Sequence, residues 1–460
     1  MDMEISSNDL ADVFEGLSEA SRASAEHYPG EPNCRQPVHT LFGGAHLFRA
    51  DTARRLGQLA LRAVEEHAPD CTSLARAVGM VESNELPDGI DLSRFLANDS
   101  TELRAETPDL WLARAVYDRV LAKLRREPVE DYRIDFEDGF GIRSDAEEDA
   151  VAISAANEVA QGLLTRLLPP FLGIRIKPLT DEFKFRAART AQIFVATVLN
   201  RTGGVLPPEF VITLPKVTIA EQVVAMDKLL TLIESTYQLK HGTIKLELMV
   251  ESTQAFLGPD GRSPLPALLF SITPGRCRGI HFGVYDYSAS AEITASHQSL
   301  DHRACDFARQ MLKVSYARTG VFLSDGPTTL IPVGTTPAVH RAWKLSYANI
   351  RRALVDGFYQ GYDLHPAQLP VRFAACYAFF LQGAADASRR LNNFVRSETR
   401  VAMSDGVFDD AATAQGLLNF FRRGIHCGAL TQDELSATGL SPKDFREVSI
   451  TRIMKNRRTT

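Results

Sequence analysis

The chain has 460 residues, enough for one large barrel with an appendage or for two to three ordinary domains. Its 45% hydrophobic and 23% charged residues are those of a globular protein, and 51 basic against 57 acidic residues leave a formal charge of −6. Acids and bases are interspersed, which excludes a general nucleic-acid binder, and no apolar run nears the ~20 residues of a membrane span.

The stretch Ile5 to Ala25 is mixed and acidic. It reads as an amphipathic helix, neither a signal nor a transit peptide, so residues 1–36 are expected to form a helical arm. The first β-type run is Val38–Phe42, followed by a helical pattern over Ala53–Glu66. Residues 71–109 are long, polar and contain proline, which predicts an insertion on the rim. Tyr132–Phe136 is the second strand and Ala146–Leu168 its helix; Leu172–Ile176 and Phe183–Leu199 form the third unit. Phe210–Leu214 with Ile219–Tyr237 is the fourth, Ile244–Val250 the fifth strand and Gly279–Phe282 the sixth. The seventh is Val321–Leu323 or Thr329–Val333, and the eighth is Gly361–Leu364. After Pro370 the β signals stop; Arg372–Phe394 and Ala412–Arg423 read as helices, so residues 371–460 are expected to be a helical lid or appendage.

Strand–helix alternation over this length means βαβ units on a parallel sheet, and eight of them fit a closed (β/α)8 TIM barrel over residues 37–370. No GxGxxG follows the first strand and no GxxxxGK[ST] occurs, which weakens a nucleotide-binding fold. The six cysteines are spread without a CxxC pair, which predicts free thiols in a reducing cytoplasm and no structural zinc. There is no GxSxG and no HxxxH pair, so a serine hydrolase and a histidine metal site lack support.

In a parallel barrel the loops after the strands converge on one mouth, so polar residues ending strands are the ones to weigh. These are Asp135, Glu137 and Asp138 after the second strand, Arg175 and Lys177 on the third, and Lys216 after the fourth. Glu251 closes the fifth, Asp286 follows the sixth, and His365 follows the eighth, where it could face the mouth. Glu251 and Asp286 on adjacent strand ends, with no cysteine beside them, offer hard oxygen ligands suited to Mg2+ or Mn2+. Such an ion could take a 2-oxo acid through its carboxylate and carbonyl oxygens. The plainer alternative makes Glu251 a helix cap and Asp286 a loop carboxylate. The planar fork of Arg175 suits a carboxylate or enolate oxygen; its alternative is a structural ion pair with Asp135 or Glu137. Lys216 either balances the acidic DFEDG cluster (135–139) or is simply solvated.

Taken in order, these segments resemble the HpcH/HpaI aldolase and citrate lyase β-subunit superfamily, with malyl-CoA lyases and malate synthases among its relatives. The resemblance runs from Val38 to Gln368 through VHTLFGGAHLF, DFEDG, GIRIKPL, ITLPKV, MVES, FGVYDYS and GFYQGYDLHPAQ, with a weaker echo near Asp405–Asp410. It implies a barrel that binds Mg2+ through Glu251 and Asp286, with Arg175 on the substrate carbonyl. Asp135 and Glu137 would hold metal-bound waters or orient Arg175, while Asp138, Lys177, Lys216 and His365 would contact substrate. SDGVFDDAAT aligns with the lid segment that carries the acid–base aspartate of acyl-CoA members, which makes Asp410 that residue and Asp409 its neighbour. Departures are GGAH for the usual Val-Pro-small segment, Lys177 for the usual asparagine, and the absence of the proline after Asp410. A histidine stands near the position of Asp138 in the class II aldolase branch, so that branch fits less well.

The function implied is a Mg2+-dependent carbon–carbon lyase or synthase acting on a glyoxylate-like 2-oxo acid and an acyl-CoA. The alternatives are an aldolase that splits a 2-oxo-4-hydroxy acid into pyruvate and an aldehyde, and an inactive barrel serving as a scaffold. Lys177 predicts a further acid group on the substrate. The expected partners are small molecules, with no nucleic acid and no membrane, and the assembly leaned towards is a homo-oligomer.

Overall fold

The computed structural model describes residues 7–81, 86, 104–397, 402–404 and 407–458. Strands β1 (His39–Gly44), β2 (Asp131–Asp135), β3 (Phe171–Arg175), β4 (Val211–Leu214), β5 (Lys245–Val250), β6 (Cys277–Phe282), β7 (Phe322–Ser324) and β8 (Gly361–Asp363) form one parallel sheet. Their order is β7-β6-β5-β4-β3-β2-β1-β8. A parallel bridge between Ser324 and Gln360 brings the two outer strands together, and the Asp325 N–H donates to the Gln360 carbonyl at 2.9 Å. The sheet is therefore a (β/α)8 barrel, as the alternation predicts.

The strands are short apolar runs whose outward side chains meet the helical layer. Ile134, Ile174, Ile212, Leu248 and Ile280 are wholly buried, each contributing about 1.5–3 kcal/mol by leaving water. Helix starts follow local chemistry. Ser144 caps the helix Asp145–Thr165 by accepting the Glu147 N–H, while Glu147 accepts the Ser144 N–H at 3.0 Å. The inward layer is charged instead of apolar. Arg133 is fully buried and pairs with Asp131 and Glu247, Glu247 also meets His281 Nε2 at 2.9 Å, and Thr213 donates to it at 3.2 Å. Burial would raise the Glu247 carboxyl, but Arg133 and His281 hold it far below the usual range.

One alternative is settled and two expectations are corrected. The seventh strand is Phe322–Ser324; the alternative Thr329–Val333 contains Pro332, which has no N–H for a ladder. The N-terminal stretch is two helices, Ser7–Val13 and Leu17–His27, broken at Gly16 with φ 75°. Strand pairing also continues past Pro370, where β9 (Ala402–Ser404) and β10 (Val407–Asp409) form an antiparallel hairpin.

The segment expected as a rim insertion supplies Cys71–Val78 and only the first two residues of Pro108–Arg126, two helices packed on each other in the helical layer; its residues 82–85 and 87–103 lie outside the described residues. After β8 the helix Leu369–Arg396 runs back antiparallel to the strands and buries Phe373, Tyr377, Phe380, Leu391 and Phe394. The ring of Phe373 meets that of His39 at 5.4 Å, level with the start of β1. At about 1.5 Å per residue the helix then runs roughly 25 Å further before Arg390. Its end, and the hairpin packed on it, therefore lie beyond the N-terminal floor of the barrel. All six cysteines are free thiols. Among the described residues no helix is long and apolar enough to cross a membrane.

Candidate active site

The strand ends gather one charged group at the mouth. Asp135 and Arg175 are register partners at the ends of β2 and β3. The guanidinium grips both carboxylate oxygens, Nε to Oδ1 at 2.7 Å and Nη2 to Oδ2 at 2.5 Å. Asp135 also accepts the backbone N–H groups of Glu137 at 2.9 Å and Gly139 at 2.7 Å. With Asp135 1% and Arg175 3% exposed, this is a saturated buried pair that fixes where the guanidinium points. A Cβ on Gly139 would sit 2.5 Å from Asp135 Oδ2, so only glycine lets the loop close that tightly.

Arg175 Nη1 continues to Glu137 Oε2 at 3.1 Å, and its guanidinium lies 4.9 Å from the centre of the Phe42 ring. Lys216 bridges Glu137 and Asp138, reaching the latter at 3.2 Å. The Lys216 backbone is left-handed at φ 52°, a strained conformation for a lysine. That conformation accompanies a 2.7 Å hydrogen bond from its N–H to Glu251 Oε1.

Glu251 is 4% exposed. Its carboxyl is pushed up to about 8 by burial first and then by the negative charge of Asp286; Arg175 opposes the shift. Asp286 is exposed in the first turn of the helix Val284–Ser290, and among the described residues no cation pairs with it within 4 Å. A Cβ on Gly283 would stand 2.3 Å from Glu251 Oε2, so glycine is what allows the helix to start against that carboxylate.

Of the residues read from the sequence, the fold thus brings together Asp135, Glu137, Asp138, Arg175, Lys216, Glu251 and Asp286. It does not bring three others. Lys177 is buried behind the strand end, donating to the carbonyls of Phe136 at 3.1 Å and Gly141 at 3.4 Å and pairing with Glu148 at 3.3 Å. The extra cation expected there for substrate is committed to a structural ion pair. His365 is the cap of a short turn, accepting the Ala367 N–H at Nδ1. Asp410 caps the helix Ala411–His426 by accepting from Thr413 N–H at 2.9 Å. Its neighbour Asp409 is buried against Arg390 at 2.6 Å. That anchoring places Asp410 at the floor end, away from the mouth of its own barrel. Residues 405–406 of the lid echo lie outside the described residues.

Sequence reasoning missed the mouth's apolar wall, where buried Phe42, Met249 and Tyr362 cluster and the rings of Phe42 and Tyr362 are 4.2 Å apart. It also missed Gly283 and the Lys216 backbone. Strand alternation could have found Phe42, because Thr40 two residues earlier points inward to Asp131.

Charge decides what the mouth can hold. Five carboxylates (Asp135, Glu137, Asp138, Glu251 and Asp286) face two cations (Arg175 and Lys216), and both cations are engaged on the Asp135–Asp138 side. Glu251 and Asp286 are left as a like-charged pair, an arrangement that favours a metal ion. Two carboxylates are what Mg2+ commonly takes from a protein, with the remaining positions left to water and substrate. Among the described residues no three or more His, Cys, Asp or Glu are grouped as a larger metal cage.

A family model described as a domain of unknown function, DUF6986, matches residues 17–453. No curated protein matches the sequence. Among solved structures, a citrate lyase from Burkholderia xenovorans LB400 is similar at 16% identity and a TM-score of 0.54, covering 70% of this chain and 92% of its own. The magnesium/glyoxylate complex of Haloferax volcanii malate synthase is 13% identical with a TM-score of 0.46, covering 88% of this chain and 98% of its own. The citrate lyase beta subunit of M. tuberculosis, complexed with oxaloacetate and magnesium, is 17% identical with a TM-score of 0.37, covering 57% and 92%. At these identities the likeness concerns the fold, and the Burkholderia protein carries it. The Burkholderia protein is of the superfamily that the sequence segments resemble.

Proposed function

The chain belongs to the DUF6986 family, and on that footing we propose that it is a divalent-metal carbon–carbon lyase or synthase. Its substrates on this reading are a glyoxylate-like 2-oxo acid and an acyl-CoA. The observation that carries the reading is the uncompensated pair at the mouth, with Glu251 buried and raised to about 8 beside Asp286.

Glu251 and Asp286 would hold Mg2+ or Mn2+, which supplies Lewis-acid polarisation of the 2-oxo carbonyl when bound. The residues of the chain do the rest. Asp135 locks Arg175 so that its remaining N–H capacity meets the oxygen on which enolate charge develops. Glu137, gripped by Arg175 and Lys216, fixes the rim on that side, while Asp138 and the half-exposed Lys216 meet the polar end of the substrate. Phe42, Met249 and Tyr362 form a wall that keeps water from an enolate. The acid–base role read for Asp410 is one it can fill only in the mouth of a second copy, which makes a homo-oligomer part of this reading.

The placement of Asp410 also favours a second reading, cleavage of a 2-oxo-4-hydroxy acid to pyruvate and an aldehyde, which needs no thioester and no lid acid. Deuterium exchange into acetyl-CoA and into pyruvate, each with Mg2+ in D2O and read by mass spectrometry, separates the two. Exchange into the acetyl group supports the acyl-CoA reaction, exchange into pyruvate alone supports the second, and none in either contradicts both.

A further inference from the structure

At the opposite end of the barrel, where Val38 precedes β1 and Phe322 opens β7, a cleft of about 520 Å3, its open side included, lies between the floor and the helix Ala411–His426. Its polar lining includes Glu31, Gln36, Asn419, Arg422, Arg423 and His426. The charges there are not equivalent. Arg423 is spent on Glu31, with both oxygens within 2.6 Å. Arg35, next to the cleft, is held by Glu127 and Glu130.

Arg422 has no such partner. It is only 5% exposed, yet among the described residues no carboxylate lies within 4 Å of it. Its Nη2 donates to Asn33 Oδ1 at 2.9 Å and to the Pro32 carbonyl at 3.4 Å, both neutral acceptors. Its Nε is buried with no acceptor at all. A guanidinium stays charged in a protein, and a buried charge is normally paired. Burial holds Arg422 below its ordinary range, the Glu31 carboxylate opposing this and Arg423 adding to it, and His426 is lowered by burial and by Arg422, Arg35 and Arg423. The C-terminal dipole of the helix offsets part of this, but a fractional charge does not neutralise a whole one.

We propose that the floor cleft is an anion site in which Arg422 holds a small oxyanion, a phosphate or a carboxylate, with the His426 side chain beside it. Nε and the neutral-bonded Nη2 edge are the two donors of the planar fork that binds such groups. The site bridges the segment leading into β1 and the last turns of the C-terminal helix. Occupancy would therefore tighten the appendage on the barrel, without touching the mouth. The inference does not depend on the reaction assigned to the mouth.

The test is thermal unfolding of the full chain with inorganic phosphate, and in parallel with acetate, against chloride at matched ionic strength. Phosphate or acetate should raise Tm by about 1–3 °C at saturating concentration. The larger of the two shifts identifies the ligand chemistry. The shift should persist in Glu251→Gln, which alters only the mouth, and vanish in Arg422→Gln. An equal shift in Arg422→Gln overturns the proposal, as does no shift in the unaltered chain. Should Arg422→Gln fail to fold, crystals of the unaltered chain soaked in selenate decide instead: an anomalous peak within hydrogen-bond reach of Arg422 Nε supports the site, and its absence overturns it.

Discussion

Arg175 and Asp135 face each other across neighbouring strand ends with two parallel hydrogen bonds, 2.7 Å and 2.5 Å long, in almost complete burial. A lysine cannot reproduce that fork, and it would leave one oxygen of Asp135 without its charged donor. Arg175→Lys is therefore expected to lower kcat by about 10²–10³-fold, with a smaller effect on metal binding. Steady-state kinetics beside a metal titration check this. Arg175→Met, which strips the partner from a buried carboxylate, should cost about 3–5 kcal/mol of stability in a denaturant melt.

The Glu251 carboxyl gives the mouth a pH signature. Its value in the folded chain, about 8, lies above the ~4.3 of an unfolded glutamate. Folding therefore favours its protonated form. The associated stability is fully present below about pH 4.3 and is lost as pH rises through about 8, by a few kcal/mol in total. Metal binding must expel the same proton, so apparent Mg2+ affinity should rise about tenfold per pH unit up to about 8 and then level off. Melts between pH 5 and 9, with and without Mg2+, should show a decline that the metal suppresses and that Glu251→Gln abolishes.

Gly283 is the steric guard of the same carboxylate. The methyl of Gly283→Ala would meet Glu251 Oε2 at 2.3 Å and its Cβ at 2.4 Å, and one of them must move. We expect at least a tenfold loss of Mn2+ affinity, on the scale of 10–100-fold for disturbed ligand supports, while the barrel still folds by circular dichroism. Calorimetric titration reads the first quantity.

Asp410 sits at the floor end of its own barrel, so its role at a mouth requires another copy. Mixing inactive Asp410→Asn with inactive Glu251→Gln, unfolded together and refolded, should restore part of the activity. Restoration absent from a verified mixed oligomer would remove Asp410 from the chemistry.

Much of the mouth was legible because charges rarely close apolar β-runs without a reason. Asp135, Arg175, Lys216, Glu251 and Asp286 all declared themselves by standing at strand ends, and parallel topology then gathers strand ends in one place. Lys177 was misleading for a physical cause. β3 stops at Arg175, so the two-residue alternation that would have turned Lys177 inward no longer applies, and Glu148 on the preceding helix Asp145–Thr165 draws it behind the strand. The capping role of Asp410 was written locally, as an acid three residues before Thr413 at the start of an apolar helical run, the pattern of an N-cap. The direction in which Leu369–Arg396 carries that cap depends on the length of the helix and the height of the barrel together. The strands Ala402–Ser404 and Val407–Asp409 are too short for any period to show, and the strain at Lys216 has no sequence signature apart from the preceding proline.

The central claim is that Glu251 and Asp286 share one divalent ion. Titration of Mn2+ into the chain near pH 8, followed by loss of the free-ion electron paramagnetic resonance signal, measures it directly. The account predicts one ion bound per chain, with affinity reduced about 100-fold or more by either Glu251→Gln or Asp286→Asn and unchanged in Asp410→Asn. Undiminished affinity in either mouth variant, or no binding by the unaltered chain, would contradict it.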